Sequence, residues 1–556
     1  MAPAQSQIAN AASDVKRCSP HYTPGIEAEA YSAAAHLEAD AVQEQHFQEL
    51  KEQVRRMLMA AVYQPSNILD MIDNIQRLGL SNNFENEINA ILKLVHNGYG
   101  TEDLENDGDL YTIALRFRLL RQQGYNVSCD VFNRFKQSNG TFKESLTSDV
   151  VGLLSLYEAT HLRVHGEDIL EEALTFTTSH LKSAAPRLSS ILSKQVTHAL
   201  YQPLWKGFSR LEARHYMSVY EEDGSYNQTL LTLAKLNFNL VQKVHQKELS
   251  DMTRWWKDLD FVNKLPFARD RLVEAYFWGL ATCYEPEYYF ARIMACKYGA
   301  LTTVLDDVYD AYGTYEELER FTEAIERWDI FVVDQLQLPQ CMEVCYKGLL
   351  DSYSGYEEKL ADEGNLYRIE FAKEAIKIQL RGYFQEAKWL KEKYTPTMDE
   401  YIPNALDTSF YPMAITTSVG MGGLVIKDTM DWVLNHPKIV KATTLIGRLL
   451  NDMAGHKFEQ TNEQCASSVE CYMNHYGVGE EEAKIALTKQ KDAAWKDLNQ
   501  ELLDLHSSNS IPKPLLQIIL NLARSSEVIY KNMEGFNNSS ALKGFIDSLL
   551  IEPVHV

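Results

Sequence analysis

Residues 301 to 318 read LTTVLDDVYDAYGTYEEL and set Asp306, Asp307 and Asp310 into an otherwise apolar and aromatic run. Met294, Tyr298, Leu301, Leu305, Val308 and Tyr312 recur at three- and four-residue spacing and mark one apolar stripe of a helix. Asp306 and Asp310 fall four apart on one face beside that stripe, where like charges repel. Gly313 offers a helix stop, and Thr314 with Glu317 a capping box for the next helix. The aspartates therefore crowd a helix C-terminus, the negative pole of its dipole. Such a cluster calls for a cation, and hard divalent ions that prefer oxygen ligands, Mg²⁺ above all, suit it best. Taken alone, the same string also reads as a solvated acidic helix end.

A second oxygen-rich helix makes the metal reading more specific, because ions bridging a polyphosphate are most easily held between two facing helices. The stretch HPKIVKATTLIGRLLNDMAGHKFEQ, 436 to 460, is a candidate. Pro437 suits a first turn, and the run that follows predicts one long helix to about Gln460. Arg448 and Glu459 lie about three turns apart and share a face, with Asn451 and Asp452 on either side of it and Gly455 between. That face offers oxygen ligands and one fixed cation. An ordinary salt-bridged surface helix is the alternative for this segment by itself.

The elements that must position these residues are helical. Helical periodicity recurs from about residue 40 to the end and strand signals are scarce, which predicts an all-α fold. Turn segments such as GYGTEDLENDGDLY (98 to 111) and QSNGTFKESLTSD (137 to 149) separate the apolar stretches, and Thr141 with Glu144 reads as a further capping box. No fixed-period repeat appears, which weakens a scaffold reading. At 556 residues the chain favours more than one domain, and EEDGSYNQ (221 to 228) marks the candidate boundary between units 1–228 and 229–556.

The formal charge of -23, from 77 acidic against 54 basic residues, argues against nucleic acid or an anionic membrane as the main partner. No run approaches the roughly 18 apolar residues of a membrane span. The eight cysteines are scattered, with only Cys341 and Cys345 close together, so a reduced, cytoplasmic chain is expected. The first 25 residues contain no apolar signal core, and neither a secretory signal nor a transit peptide is expected.

DDVYD at 306 to 310, followed about 140 residues later by NDMAGHKFE at 451 to 459, resembles the two metal-binding motifs of plant class I terpene synthases. The likeness continues through RFRLLRQQGYNVSCDVF (116 to 132), RLEARHYMSVY (210 to 220), LPFARDRLVEAYFW (265 to 278) and VECYMNHYGV (469 to 478). It looks like the cytosolic sesquiterpene branch. The resemblance implies two helical domains: an N-terminal α-barrel related to class II cyclases, and a C-terminal class I terpenoid α-bundle that holds the site. The DxDD string of class II catalysis is absent, since Asp258-Leu259-Asp260-Phe261 lacks the final acid, so the N-terminal domain is expected to be structural.

By the same resemblance the reaction is Mg²⁺-dependent ionisation of farnesyl diphosphate and cyclisation of the cation to a sesquiterpene, with release of diphosphate. Three Mg²⁺ per site are implied, Mn²⁺ being able to substitute, in a monomeric protein. The ligands map to Asp306, Asp310, Asn451, Gly455 and Glu459, with Asp307 supporting and Asp452 behind them. Gly455 departs from the usual Ser or Thr by lacking a side-chain oxygen. Arg269, Arg271 and Arg448 become the cations that bind diphosphate, and Trp278, Phe410, Tyr411 and Tyr530 the aromatic wall that stabilises the carbocation. Glu534-Gly535-Phe536 stands where many relatives carry Asp-Gly-Tyr in a lid, so Phe536 lines the pocket without a hydroxyl to relay a proton. Glu27 replaces a usual Trp, which predicts a loosely held N-terminal segment. A monoterpene synthase using geranyl diphosphate is the alternative. A chain-elongating prenyltransferase fits less well, because it would carry two DDxxD strings.

Overall fold

The computed structural model describes residues 24–32, 41–62, 65–98, 108–224, 226–461, 465–531, 535–536 and 538–556. Among the described residues the fold is all-α, as the periodicity predicts, and the one β feature is an isolated antiparallel bridge between Lys136 and Phe142. None of the described helices is long and apolar enough to cross a membrane. The seven described cysteines are all free.

Helices from Ala41–Ala61 to Ser209–Glu222 form the first half of the chain, and Phe117, Phe132, Leu156 and Leu181 belong to a separate core there. The capping box read at Thr141 and Glu144 does not form. The Thr141 hydroxyl donates to Asn139 Oδ1 at 2.8 Å, and the turn Glu144–Ser148 starts after Lys143 without a side-chain cap.

Helix α1 (Gln228–Leu259) starts where the Asn227 side chain accepts the Leu230 N–H, and ends at Asp260, which adopts a left-handed φ of 58°. It packs against Ala41–Ala61 and also against α2 (Leu272–Thr282). α2 is buried along its whole length and pairs with α3 (Tyr289–Asp307). The predicted stripe is confirmed at Met294, Tyr298, Leu301, Leu305 and Val308, all buried. α3 gives way to one π-helical turn, Val308–Tyr312, a form of backbone that recurs at functional sites. The predicted capping box of Thr314 and Glu317 then starts the next helix.

α4 (Ile369–Glu392) lies against that π turn. α5 (Met398–Asp407) starts on a Thr397/Glu400 capping box and breaks at Thr408–Ser409, and α6 (Phe410–Val419) follows, fully buried. The break frees the Thr408 carbonyl, which accepts from Gln379 Nε2 at 3.1 Å and Arg448 Nη2 at 3.0 Å. α7 (Lys438–Thr461) is the long helix expected after Pro437, whose carbonyl accepts from the Val440 and Lys441 N–H groups. α7 packs on α6 and α8 (Lys513–Ile529), and α9 (Ser539–Leu550) closes the chain.

The expectation of a loosely held N-terminal segment is corrected for residues 24–32. A Cβ on Gly25 would come within 1.9 Å of the Asp270 carbonyl, so only glycine permits that approach. The Ile26 N–H donates to Glu274 at 3.3 Å, Glu29 pairs with Lys257 at 2.8 Å, and the buried Tyr31 donates to Asp547 at 2.6 Å. These polar contacts hold the segment without a tryptophan at Glu27, which is exposed.

Candidate active site

The end of α3 brings its acids to Arg269, which precedes α2. Arg269 Nη2 meets Asp306 Oδ2 at 2.5 Å, Arg269 Nε meets Asp307 Oδ1 at 2.8 Å, and the Arg269 N–H donates to Asp307 Oδ2 at 2.7 Å. Asp307 is therefore committed through both oxygens to positioning Arg269 and is buried, whereas Asp306 is partly exposed and engages Arg269 through one oxygen. Asp310, one helical turn on, is recessed. Loss of water, then the charges of Asp306 and Glu386, push its carboxyl well above the usual range, and Arg269 only partly opposes this.

Glu386 on α4 was not singled out by the sequence, where QEAKWLKE looks like any charged helix face. It accepts from Thr408 Oγ1 at 2.9 Å and Asn404 Nδ2 at 3.0 Å. Its carboxyl is pushed up to about 7, chiefly by burial, with Arg448 opposing and Asp306 adding to the rise. Glu386 thus feels both the acids of α3 and the cation of α7, and so links the two sequence motifs in space.

On α7, Arg448 Nη1 donates to Asp452 Oδ1 at 3.2 Å and Asn451 Oδ1 at 3.3 Å, and Nη2 to the Thr408 carbonyl. Burial works against its charge, but Asp452, Tyr401 and Glu386 keep it firmly protonated. Asp452 is buried and also accepts from Tyr401 at 2.7 Å and the Ser468 N–H at 3.1 Å. It is a support for Arg448. Gly455 is buried, and the side chain of Glu459 lies outside the described residues.

Hard oxygen donors whose charges repel one another suit a divalent cation. Among the described residues no three acidic, histidine or cysteine side chains converge as a finished cage. Arg269 engages Asp306 and Asp307 together in this arrangement.

A cavity of about 150 Å³ opens between α2, α3, α6, α7 and the C-terminal loop. Trp278, Phe410, Tyr530 and Phe536 line it, with Thr302, Met413, Gly447, Arg448 and Asn451. Phe410 and Trp278 have ring centroids 4.8 Å apart, and Trp278 and Tyr530 6.0 Å apart, so the Trp278 ring adjoins both others. Two expectations are corrected. Tyr411 does not line the cavity: its hydroxyl donates to the Leu434 carbonyl at 2.6 Å and its ring stacks on His436. Arg271 does not join the acids of α3. It is buried, donates from Nε to the Phe536 carbonyl at 2.9 Å, and lies 3.9 Å from the buried Glu274, so it anchors the C-terminal loop. Glu534 lies outside the described residues.

Residues 257–497 match the terpene synthase family, metal binding domain, and residues 26–200 match the terpene synthase N-terminal domain. The chain is 56% identical to (-)-germacrene D synthase of Vitis vinifera over 92% of this chain and 91% of that protein. It is 47% identical to (+)-delta-cadinene synthase isozyme A of Gossypium arboreum over 96% of each. Among solved structures, limonene synthase with 2-fluorolinalyl diphosphate matches with a TM-score of 0.91 and 32% identity over 97% of this chain and 100% of that one. Isoprene synthase from grey poplar leaves, in complex with three Mg²⁺ ions and dimethylallyl-S-thiolodiphosphate, matches with a TM-score of 0.86 and 34% identity over 93% and 98%. The acids on α3, the arginine-bearing helix α7 facing them, and these likenesses agree, and the chain belongs to the terpene synthase family.

Proposed function

We propose that the chain is a sesquiterpene synthase that ionises farnesyl diphosphate and cyclises the resulting cation. The observation that carries this reading is the cavity itself. The charged Arg448 and the amide of Asn451 lie on one part of its wall, and Trp278, Phe410, Met413, Tyr530 and Phe536 supply an aromatic and apolar part, with only neutral polar groups such as Thr302, Thr303 and Gln379 besides. A diphosphate ester with a long apolar tail has that division of polarity. Relatives named as germacrene D, valencene and delta-cadinene synthases support a fifteen-carbon substrate.

Arg448, held by Asp452, and Arg269, held by Asp307, bind the diphosphate as fixed charge-assisted donors. Asp306, Asp310, Asn451 and Glu459 are the residues that would hold divalent metal, Gly455 adding no side-chain oxygen. The ion we propose is Mg²⁺, three per site with Mn²⁺ as a substitute. When bound, the metal neutralises the leaving group's charge. Trp278, Phe410 and Tyr530 then face the cation with their rings and exclude water. Arg271, bound to the Phe536 carbonyl, keeps Phe536 on the cavity wall. Residues 229–556 hold this chemistry, and 1–228 are structural, in a monomeric cytoplasmic enzyme.

The test is incubation of purified protein with farnesyl or geranyl diphosphate and Mg²⁺, with and without chelator, followed by gas chromatography and mass spectrometry. Cyclic fifteen-carbon products that disappear with chelator are the expected result. Intact farnesyl diphosphate from folded protein refutes the reading, and turnover of geranyl diphosphate alone reassigns the substrate.

A further inference from the structure

Gly447 lies well inside α7 and on the cavity wall. Glycine is a poor helix-interior residue, because it gives up the most backbone freedom and has no side chain to pack. What it gains here is contact with Phe410, the first residue of α6. A Cβ at position 447 would lie 1.9 Å from Phe410 Cε2, 2.3 Å from Cδ2 and 3.0 Å from Ser526 Oγ. No side-chain carbon tolerates the first two distances, so the ring edge occupies the volume that any other residue would fill. Trp278 meets Phe410 at 4.8 Å between ring centroids, inclined by 46°. The backbone just before Phe410 is fixed by the two donors on the Thr408 carbonyl. The ring is wedged between the α7 backbone and Trp278, at a place that depends on position 447 being glycine.

We propose that Gly447 is a specificity-determining positioning residue: it lets Phe410 sink against α7, which sets the depth of the cavity and hence the fold of the prenyl chain at ionisation. The inference rests on the cyclase reading above. Ring closure requires the cationic carbon to lie close to one particular double bond, and competing closures differ by little in barrier. Moving one aromatic ring by the width of a methyl group changes which double bond is in reach. Gly447 acts through Phe410 and leaves the diphosphate contacts of Arg269 alone.

The experiment compares wild type, G447A, F410L and the double variant G447A/F410L with farnesyl diphosphate, reading product distribution, kcat, KM and half-saturating Mg²⁺. In G447A the share of the main wild-type product is expected to fall at least threefold, in favour of acyclic or differently closed hydrocarbons. Its KM and Mg²⁺ requirement should stay within about twofold. The smaller leucine makes room for the methyl group, so adding G447A to F410L should change the products far less than adding it to wild type. An unchanged product pattern in folded, active G447A overturns the proposal, and so does a double variant whose changes are the sum of the two single ones. If G447A fails to fold, recovery of folding and turnover in the double variant supports the wedge, and failure of the double variant overturns it. Wild-type protein inert towards prenyl diphosphates refutes the cyclase reading and this inference together. An active wild type whose products ignore position 447 refutes only the inference.

Discussion

Asp310, a metal ligand in the function proposed above, is where the conflict between that function and stability can be tested at the scale of one residue. It sits among Asp306, Asp307 and Glu386 with one arginine near, and nothing in the fold gains from that repulsion. Replacing it with asparagine keeps the shape and removes the charge. D310N is expected to lose at least about a thousandfold in kcat/KM while melting at or slightly above the wild-type temperature in chelator. Adding Mg²⁺ with a diphosphate analogue should raise the wild-type melting temperature and leave D310N almost unmoved. Calorimetry in the two conditions checks this, and a D310N protein that is both inactive and strongly destabilised would assign the residue to the core instead. The acids of α3 were legible because a charge cluster on an apolar helix is a local contradiction that reads straight from spacing. Glu386 was not, because its partners Thr408, Asn404 and Arg448 are distant in sequence from the motif it serves. Asp452 was legible as a helper only through resemblance, and its hydrogen bonds to Arg448, Tyr401 and Ser468 give that role a physical cause.

At the scale of elements, the short connection before α2 gathers several others. Arg271 holds the loop at Phe536, Glu274 takes the Ile26 N–H and the Ser539 hydroxyl, and Gly25 lies against Asp270. The N-terminal segment, the C-terminal loop and the start of α9 therefore share one buried Arg271–Glu274 pair. Lysine in place of Arg271 keeps the charge but loses the planar donor fork. R271K is expected to loosen the loop, raise KM for farnesyl diphosphate about tenfold and admit water to the cation. The alcohol-to-hydrocarbon ratio of the products should rise severalfold, which mass spectrometry reads directly; an unaltered ratio would show that the loop seals without Arg271. The family resemblance implied an anion-binding role for both Arg269 and Arg271, and spacing alone could not tell that one meets the acids of α3 and the other the Phe536 carbonyl. Local signals fared unevenly for the same reason. The Thr314–Glu317 cap formed as read, whereas Thr141 found a nearer acceptor in Asn139.

At the scale of the whole molecule, buried polar groups act both within the first half and between the halves. Glu158, half-buried on the helix Val150–Thr160, accepts the Leu204 N–H at 2.9 Å, and burial pushes its carboxyl up to about 7, against the pull of Arg118 and Arg77. The folded chain then holds this proton more tightly than the unfolded one, so stability falls as pH rises from about 4.5 to 7 and stays lower above that. E158Q, which keeps the acceptor oxygen, should match wild type near pH 5 and be more stable at pH 8 by on the order of 2 kcal/mol. Denaturant titrations at both pH values check it. Asn499, buried on the helix Glu480–Ser508, is the clearest polar link between the halves. It donates to the His161 and Arg163 carbonyls at 3.0 and 2.9 Å and accepts from Trp205 Nε1 at 2.9 Å. Truncation in N499A leaves two carbonyls and an indole N–H without that partner, a loss on the order of 3 kcal/mol or more. Because the lost bonds all reach residues 161–205, the loss should fall unevenly. Hydrogen exchange in N499A is expected to quicken over 150–205 while α3 and α7 keep their protection. Product distribution should stay as in wild type below the new melting point, since none of these groups touches the cavity. Unchanged exchange over 150–205 would mean that the other contacts between the halves, such as Arg524 with the Trp205 carbonyl, hold that region without Asn499, and a shifted product pattern would mean that the first half of the chain reaches the site through this contact.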